Sequence, residues 1–128
     1  MAASELVYVP SPDRTAASGG QTSGMTRTNA ISGQASINAS MMTAAPRTKS
    51  GVHHHGEQDT IIYALTPGGS VLTEGGKKRV DLGQGDFCLI PKGVEHQEVN
   101  DSDQEVVWVI TRSGNSANVV NVDNWRNS

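Results

Sequence analysis

The sequence predicts an all-β fold, a sandwich or barrel of short strands, on three observations. Strand-like runs recur at regular spacing from about residue 34 onward. Turn chemistry rich in Gly, Pro, Asn and Ser separates them. No segment carries a sustained 3.6-residue apolar period, so long helices are not expected. With 128 residues, the chain has the length of one domain. A domain of that size buries roughly two-thirds of its unfolded surface, enough for stability without disulfide staples.

Taken in order, residues 5–9 before Pro10 suggest a short edge strand. From Ser11 to Gly33 the chain is rich in Ser, Thr, Gly and Ala and is read as a loop or an irregular arm. Residues 1–33 are thus set apart from a barrel domain over 34–123 and a short tail over 124–128. In the barrel segment, Ala35, Ile37, Ala39 and Met41 alternate with Ser36, Asn38 and Ser40, a period of two. Further runs fall at 60–65, 70–73, 78–82, 86–90, 96–99, 105–111 and 118–122. Between them lie Pro67-Gly68-Gly69, Gly75-Gly76, Gly83 with Gly85, Pro91-Lys92-Gly93, Asn100-Asp101 and Ser113-Gly114-Asn115. This pattern leaves immunoglobulin-like, jelly-roll and lipocalin-like arrangements open.

Composition excludes several classes of function. The net charge is −3, and the one basic cluster, Lys77-Lys78-Arg79, follows a Gly-Gly pair and reads as a solvated hairpin tip. Five aromatic residues are too few for a base-stacking platform, so nucleic acid is not an expected partner. No apolar run approaches the ~20 residues that span a bilayer, and the first residues lack the pattern of a signal peptide. A cytoplasmic protein without a membrane partner is the expectation. Cys88 is the single cysteine and lies in an apolar run, which suits a buried small hydrophobe.

The histidines carry the chemistry. Three are consecutive at 53–55 and the fourth is His96. Side chains alternate along a strand, so His53 and His55 share a face and His54 points away. Two imidazoles on one face can grip a single ion, and His96 can complete the site from another strand. An expression tag is the plain alternative, but tags are longer and terminal. A lone His96 would by itself be an ordinary core or surface histidine.

The residues around His96 decide otherwise. From Gly85 the chain reads GDFCLIPKGVEHQEVN, which resembles the second motif of the cupin superfamily. That motif is a glycine, five residues, Pro-x-Gly, two residues, His, three residues and Asn. Gly85, Pro91, Gly93, His96 and Asn100 occupy its fixed positions. The first motif runs from a glycine through five residues to His-x-His, then three or four residues, an acid, six residues and a glycine. The stretch GVHHHGEQDTIIYALTPGG is similar but departs in its glycines and in carrying Asp59 where glutamate is usual.

The resemblance covers about residues 35–112 and implies a double-stranded β-helix, the jelly-roll barrel, with an irregular N-terminal arm. It further implies one divalent transition metal ion (Zn, Fe, Mn or Ni) held by His53, His55, Asp59 and His96. Aspartate is one methylene shorter than glutamate, so Glu57 and a shell without a carboxylate stay open as alternatives. Counted along the strand, Ile61, Tyr63 and Leu65 share the face of Asp59, which would set the carboxylate in an apolar pocket. Trp108, Met41, Met42 and Phe87 are read as core. Tyr63 and Glu98 are the candidate catalytic groups, Tyr63 as a proton donor and Glu98 as a base on the face of His96. Arg27 and Arg47 are read as solvated charges, with a substrate carboxylate or a subunit as alternative partners.

The function this implies is a metal-dependent enzyme acting on a small oxygenated metabolite by Lewis-acid chemistry of the isomerase, lyase, dehydratase or decarboxylase type. An iron-dependent dioxygenase would use the same residues, and a cupin that binds a small ligand without converting it is a third reading. Small cupins pair, so a homodimer through residues 5–9 or the 11–33 arm is expected.

Overall fold

A computed structural model of the chain describes residues 2–17 and 22–126. Two antiparallel sheets face each other, and no α-helix occurs among the described residues. The strands are β1 (Thr15–Ala16), β2 (Met25–Ile31), β3 (Ile37–Ala44), β4 (Thr48–Lys49), β5 (His53–His54) and β6 (Thr60–Ala64). They continue as β7 (Gly69–Thr73), β8 (Lys78–Leu82), β9 (Phe87–Ile90), β10 (His96–Asn100), β11 (Val106–Ser113) and β12 (Val120–Asn121). One sheet runs β1-β2-β3-β11-β6-β9 and the other β12-β5-β10-β7-β8, with β4 also paired to β10.

The core lies between the sheets, and its parity follows the pleat. On β6, Thr60, Ile62 and Ala64 face inward, and on β11 Val106, Trp108, Ile110 and Arg112 do the same. Met25, Met42, Ala44, Val71, Leu82 and Ile90 complete the cluster. Trp108 sits over Gly69, where an added Cβ would lie 2.5 Å from the indole Cζ2. The bare glycine is what lets the ring pack flat against β7.

Three expectations are corrected here. Residues 5–9 form no strand, and Leu6 and Tyr8 are exposed. The segment read as an arm contains β2, seven residues that pair along β3 and bring Met25 into the core. Its Arg, Thr and Asn content hid it, because a strand beside the site carries polar groups inward. Residues 18–21 of that arm lie outside the described residues. Phe87, expected in the core, is exposed on the outer face beside Leu89, and its ring meets Tyr63 at a centroid distance of 4.8 Å.

The alternation at 35–41 is real, but its polar set faces inward. Asn38 and Ser40 are buried with Met42 and Ala44, whereas Ile37 is exposed. Asn38 donates from Nδ2 to the carbonyls of Arg112 and Gly114, which satisfies the buried amide. The tail is held as well. The Arg126 amide donates to Glu95 Oε1, and the ring of Trp125 lies beside Gly76.

Candidate metal centre

The stretch from Gly85 to Asn100 builds half of the site, and each fixed position has a physical task. Gly85 and Gly93 both have positive φ, a backbone that residues with a Cβ adopt only under strain. Gly85 turns the chain into β9, and its amide donates to the Ala64 carbonyl at 2.8 Å. Pro91 ends β9, and the Val94 amide closes the turn onto the Pro91 carbonyl. Asn100 is fully buried at the far end of β10. Its Nδ2 donates to the carbonyls of Ala44, Ala45 and Gln104, and its Oδ1 accepts from the amide and hydroxyl of Ser102. That hub pins β10, and with it His96.

Pairing of β5 with β10 places His53 directly across from His96. The rings of His53 and His96 lie 4.3 Å apart, and that of His55 is 5.2 Å from His53 and 5.0 Å from His96. All three are buried, and their ligand atoms lie within 4.8 Å of one another. His54 points the other way, and its Nδ1 accepts from the Gly56 amide.

Each of the three rings is fixed by its second nitrogen. Nδ1 of His53 lies 3.0 Å from the Gly51 carbonyl, Nδ1 of His55 is 2.8 Å from that of Asn118, and Nδ1 of His96 is 3.0 Å from that of Val94. A carbonyl only accepts, so each Nδ1 carries the hydrogen and donates. With that hydrogen on Nδ1, a neutral ring turns its Nε2 lone pair inward. A backbone carbonyl on the far nitrogen is the usual way in which a metal-binding imidazole is oriented.

Glu98 closes the cluster. It lies two residues from His96 on the same face, with Oε2 2.8 Å from His53 Nε2 and 3.1 Å from His96 Nε2. Yet Oε2 has no donor once the ring hydrogens sit on Nδ1. An acceptor-only meeting of a carboxylate and imidazole lone pairs, buried from water, requires a cation between them. Either extra protons on the rings or a metal ion supplies it, so the donor set fits a metal. Burial works to raise the Glu98 carboxyl, but the neighbouring His53 and His96 outweigh it and hold it well below the usual carboxylate range. Burial would lower His53, and Glu98 reverses this and raises it. His55 is pushed down to about 3 by burial, then by Arg112 and His96, and so keeps its lone pair at neutral pH.

Asp59 is not brought to this cluster. It is exposed on the outer face with Ile61 and Leu65, and its Oδ1 accepts from the Lys92 amide at 3.0 Å. The expected parity was off by one residue. With four rather than three residues after His55, the inward position is Thr60, which is buried and has no carboxylate. Glu57 is solvent-exposed near Lys92. Tyr63 meets Phe87 with tilted rings outside the barrel, on the face of β6 opposite to Thr60 and Ile62. Trp108 is core, and Cys88 is partly buried against it, with its thiol raised by burial.

Two residues that sequence reasoning undervalued line the same cavity, Arg27 and Arg112. Arg112 is buried. Its Nε donates to Thr60 Oγ1 at 3.2 Å, and its Nη2 lies 3.3 Å from His55 Nε2. The alternation Val106, Trp108, Ile110, Arg112 would have placed it inward. Burial, then Arg27, lowers its guanidinium to about 10, so it stays charged at neutral pH. The cavity measures about 40 Å3 and is walled by Met25, Met42, Ile110 and Val119.

With that geometry in hand, the cupin domain family matches residues 40–112, more than half of the chain. The chain belongs to the cupin family. Among solved structures, this cupin is similar to the polyketide cyclase RemF from Streptomyces resistomycificus, with a TM-score of 0.77 and 19% identity over 96% of this chain and 89% of that one. It is also similar to KdgF from Halomonas sp., with a TM-score of 0.70 and 18% identity over 86% and 94%. A deletion mutant of Bacillus subtilis oxalate decarboxylase OxdC matches at a TM-score of 0.71 and 16% identity, over 80% of this chain and 29% of that one. Such identities carry the fold, and the cupin domain here spans the family's two-sheet barrel. A comparison with curated protein sequences finds no match. No helix among the described residues of the cupin is long and apolar enough to cross a membrane.

Proposed function

We propose that this cupin is a metal-dependent enzyme that acts on a small oxygenated metabolite, with Lewis-acid chemistry of the isomerase, lyase, dehydratase or decarboxylase type. The observation that carries the reading is the convergence of three buried imidazoles beside a cavity, with the Nε2 atoms of His53 and His96 on the buried Glu98 carboxylate. His53, His55 and His96 would hold one divalent transition metal, and Glu98 is the carboxylate at hand as a further oxygen donor. When bound, the metal supplies polarisation of a carbonyl or hydroxyl oxygen.

The chain's own residues do the rest. Met25, Met42, Ile110 and Val119 give the cavity an apolar wall beside the charged groups. Glu98 is the carboxylate among the described lining residues, and the oxygen that does not face His53 and His96 is the atom to take or return a substrate proton. The β12–β5 pairing, Val120 with His54 and Asn121 with His53, keeps the C-terminal segment over the histidine strand. The neighbours' names, a cyclase, a decarboxylase and oxalate oxidases, support catalysis on this barrel without choosing among reactions.

Elemental analysis of untagged protein, wild type against His96→Ala, tests the reading. About one equivalent of zinc, nickel or manganese, lost in the variant, is the expected result. Iron together with substrate-dependent oxygen uptake would replace Lewis-acid chemistry by dioxygen chemistry. A wild type that holds no metal, even after reconstitution, would refute the proposal.

A further inference from the structure

The cavity beside the histidines is unbalanced in charge. Its described lining holds two guanidinium groups, Arg27 and Arg112, against one carboxylate, Glu98. A divalent ion on the histidines would add two more positive charges. Burying the Arg112 charge beside that ion is costly unless an anion joins it. Arg112 is the more telling of the two. It is 3% exposed, and its Nη1 has no hydrogen-bond partner among the described residues. Its Nη2 leans on His55 Nε2, the same lone pair that the metal reading assigns to the ion. Metal at His55 would therefore deprive Nη2 of its acceptor and leave both terminal nitrogens of Arg112 to a ligand.

We infer that the cavity takes a small carboxylic acid, bound as its anion with the carboxylate on Arg112 and its neighbouring oxygen function toward His53, His55 and His96. This rests on the metal-enzyme reading above and names its substrate class. A guanidinium fork with two free nitrogens matches the planar, two-oxygen face of a carboxylate. Arg27, half-buried on β2, adds a second positive charge to the same lining.

The test is calorimetric titration of the full-length protein, loaded with the metal that elemental analysis identifies, using glycolate, pyruvate and inorganic phosphate, with glycolamide and pyruvamide as neutral isosteres. At least one acid is expected to bind about tenfold or more tightly than its amide, since a charged hydrogen bond is lost in the exchange. Arg112→Gln is expected to bring acid and amide to within about threefold of each other while one equivalent of metal is retained. Should Arg112→Gln fail to fold, Arg27→Gln must narrow the same ratio. Equal binding of acids and amides, no binding of either acid, phosphate as the tighter ligand, or a preference unchanged in the variants would overturn the inference. A metal-free wild type would instead sink the enzyme reading, and the acid–amide ratio is read on that sample too, where the two arginines still outnumber Glu98.

Discussion

Replacing Asn100 by alanine is expected to cost about 3 kcal/mol of folding stability. The side chain is 0% exposed, and its two amide hydrogens serve three carbonyls while its oxygen accepts two donors. The partners are not all stranded by its loss. The Ala45 carbonyl keeps the Thr48 hydroxyl, and the Gln104 carbonyl keeps the Ser102 hydroxyl. What remains is the net value of about three hydrogen bonds at ~1 kcal/mol each, with a small cavity added. For a chain of this length the midpoint of thermal unfolding should fall by roughly 10 °C. Urea unfolding followed by circular dichroism would measure the loss, with an unchanged denaturant slope showing that the unfolded state is not altered. Asn100→Asp gives the sharper contrast. It keeps the volume but turns an acceptor toward three carbonyls, so it should be no more stable than alanine at pH 7. A loss below about 1 kcal/mol for alanine, or an aspartate variant near wild type, would refute the hub as the anchor of β10.

Two further outcomes follow from the same geometry and a third from the family resemblance. Asp59→Asn should leave metal content unchanged, whereas Glu98→Gln should weaken metal affinity about tenfold or more in a competition with a chelator; the reverse pattern would return the carboxylate role to Asp59. Gly69→Ala should destabilise the fold by about 1–3 kcal/mol in urea titration, because its Cβ would stand 2.5 Å from Trp108; tolerance would mean that the indole shifts freely. The homodimer expected from the family resemblance would appear by light scattering at twice the 13.5 kDa of the chain, and a mass of 13.5 kDa at micromolar concentration would exclude it.

Much of the barrel was legible because its signals are local. Turns at Gly85 and Gly93 require positive φ, and runs such as Thr60–Ala64 and Val106–Ser113 alternate with period two. What was not legible is which set of a two-fold alternation faces inward. On β3 the alternation at 35–41 does not by itself assign a face, and it is the set with Asn38 and Ser40 that is buried. Asn38 is held there by carbonyls of residues 112 and 114, which are 74 and 76 positions away in the chain. No local rule supplies partners at that distance. The same blindness hid β2, whose inner face carries Arg27 toward the cavity rather than an apolar row.

The carboxylate of the site shows how one residue of register redirects chemistry. Asp59 and Thr60 differ by a single position on β6, and the pleat sends one outward and the other inward. Thr60 receives Arg112, so the corner beside His55 is occupied by a positive charge instead of an acid. The negative charge appears instead on β10, at Glu98, between His53 and His96. A barrel of the same fold thereby gains an arginine on one side of its histidines and a carboxylate on the other. An anion entering such a cavity is drawn to the Arg112 side and repelled by Glu98.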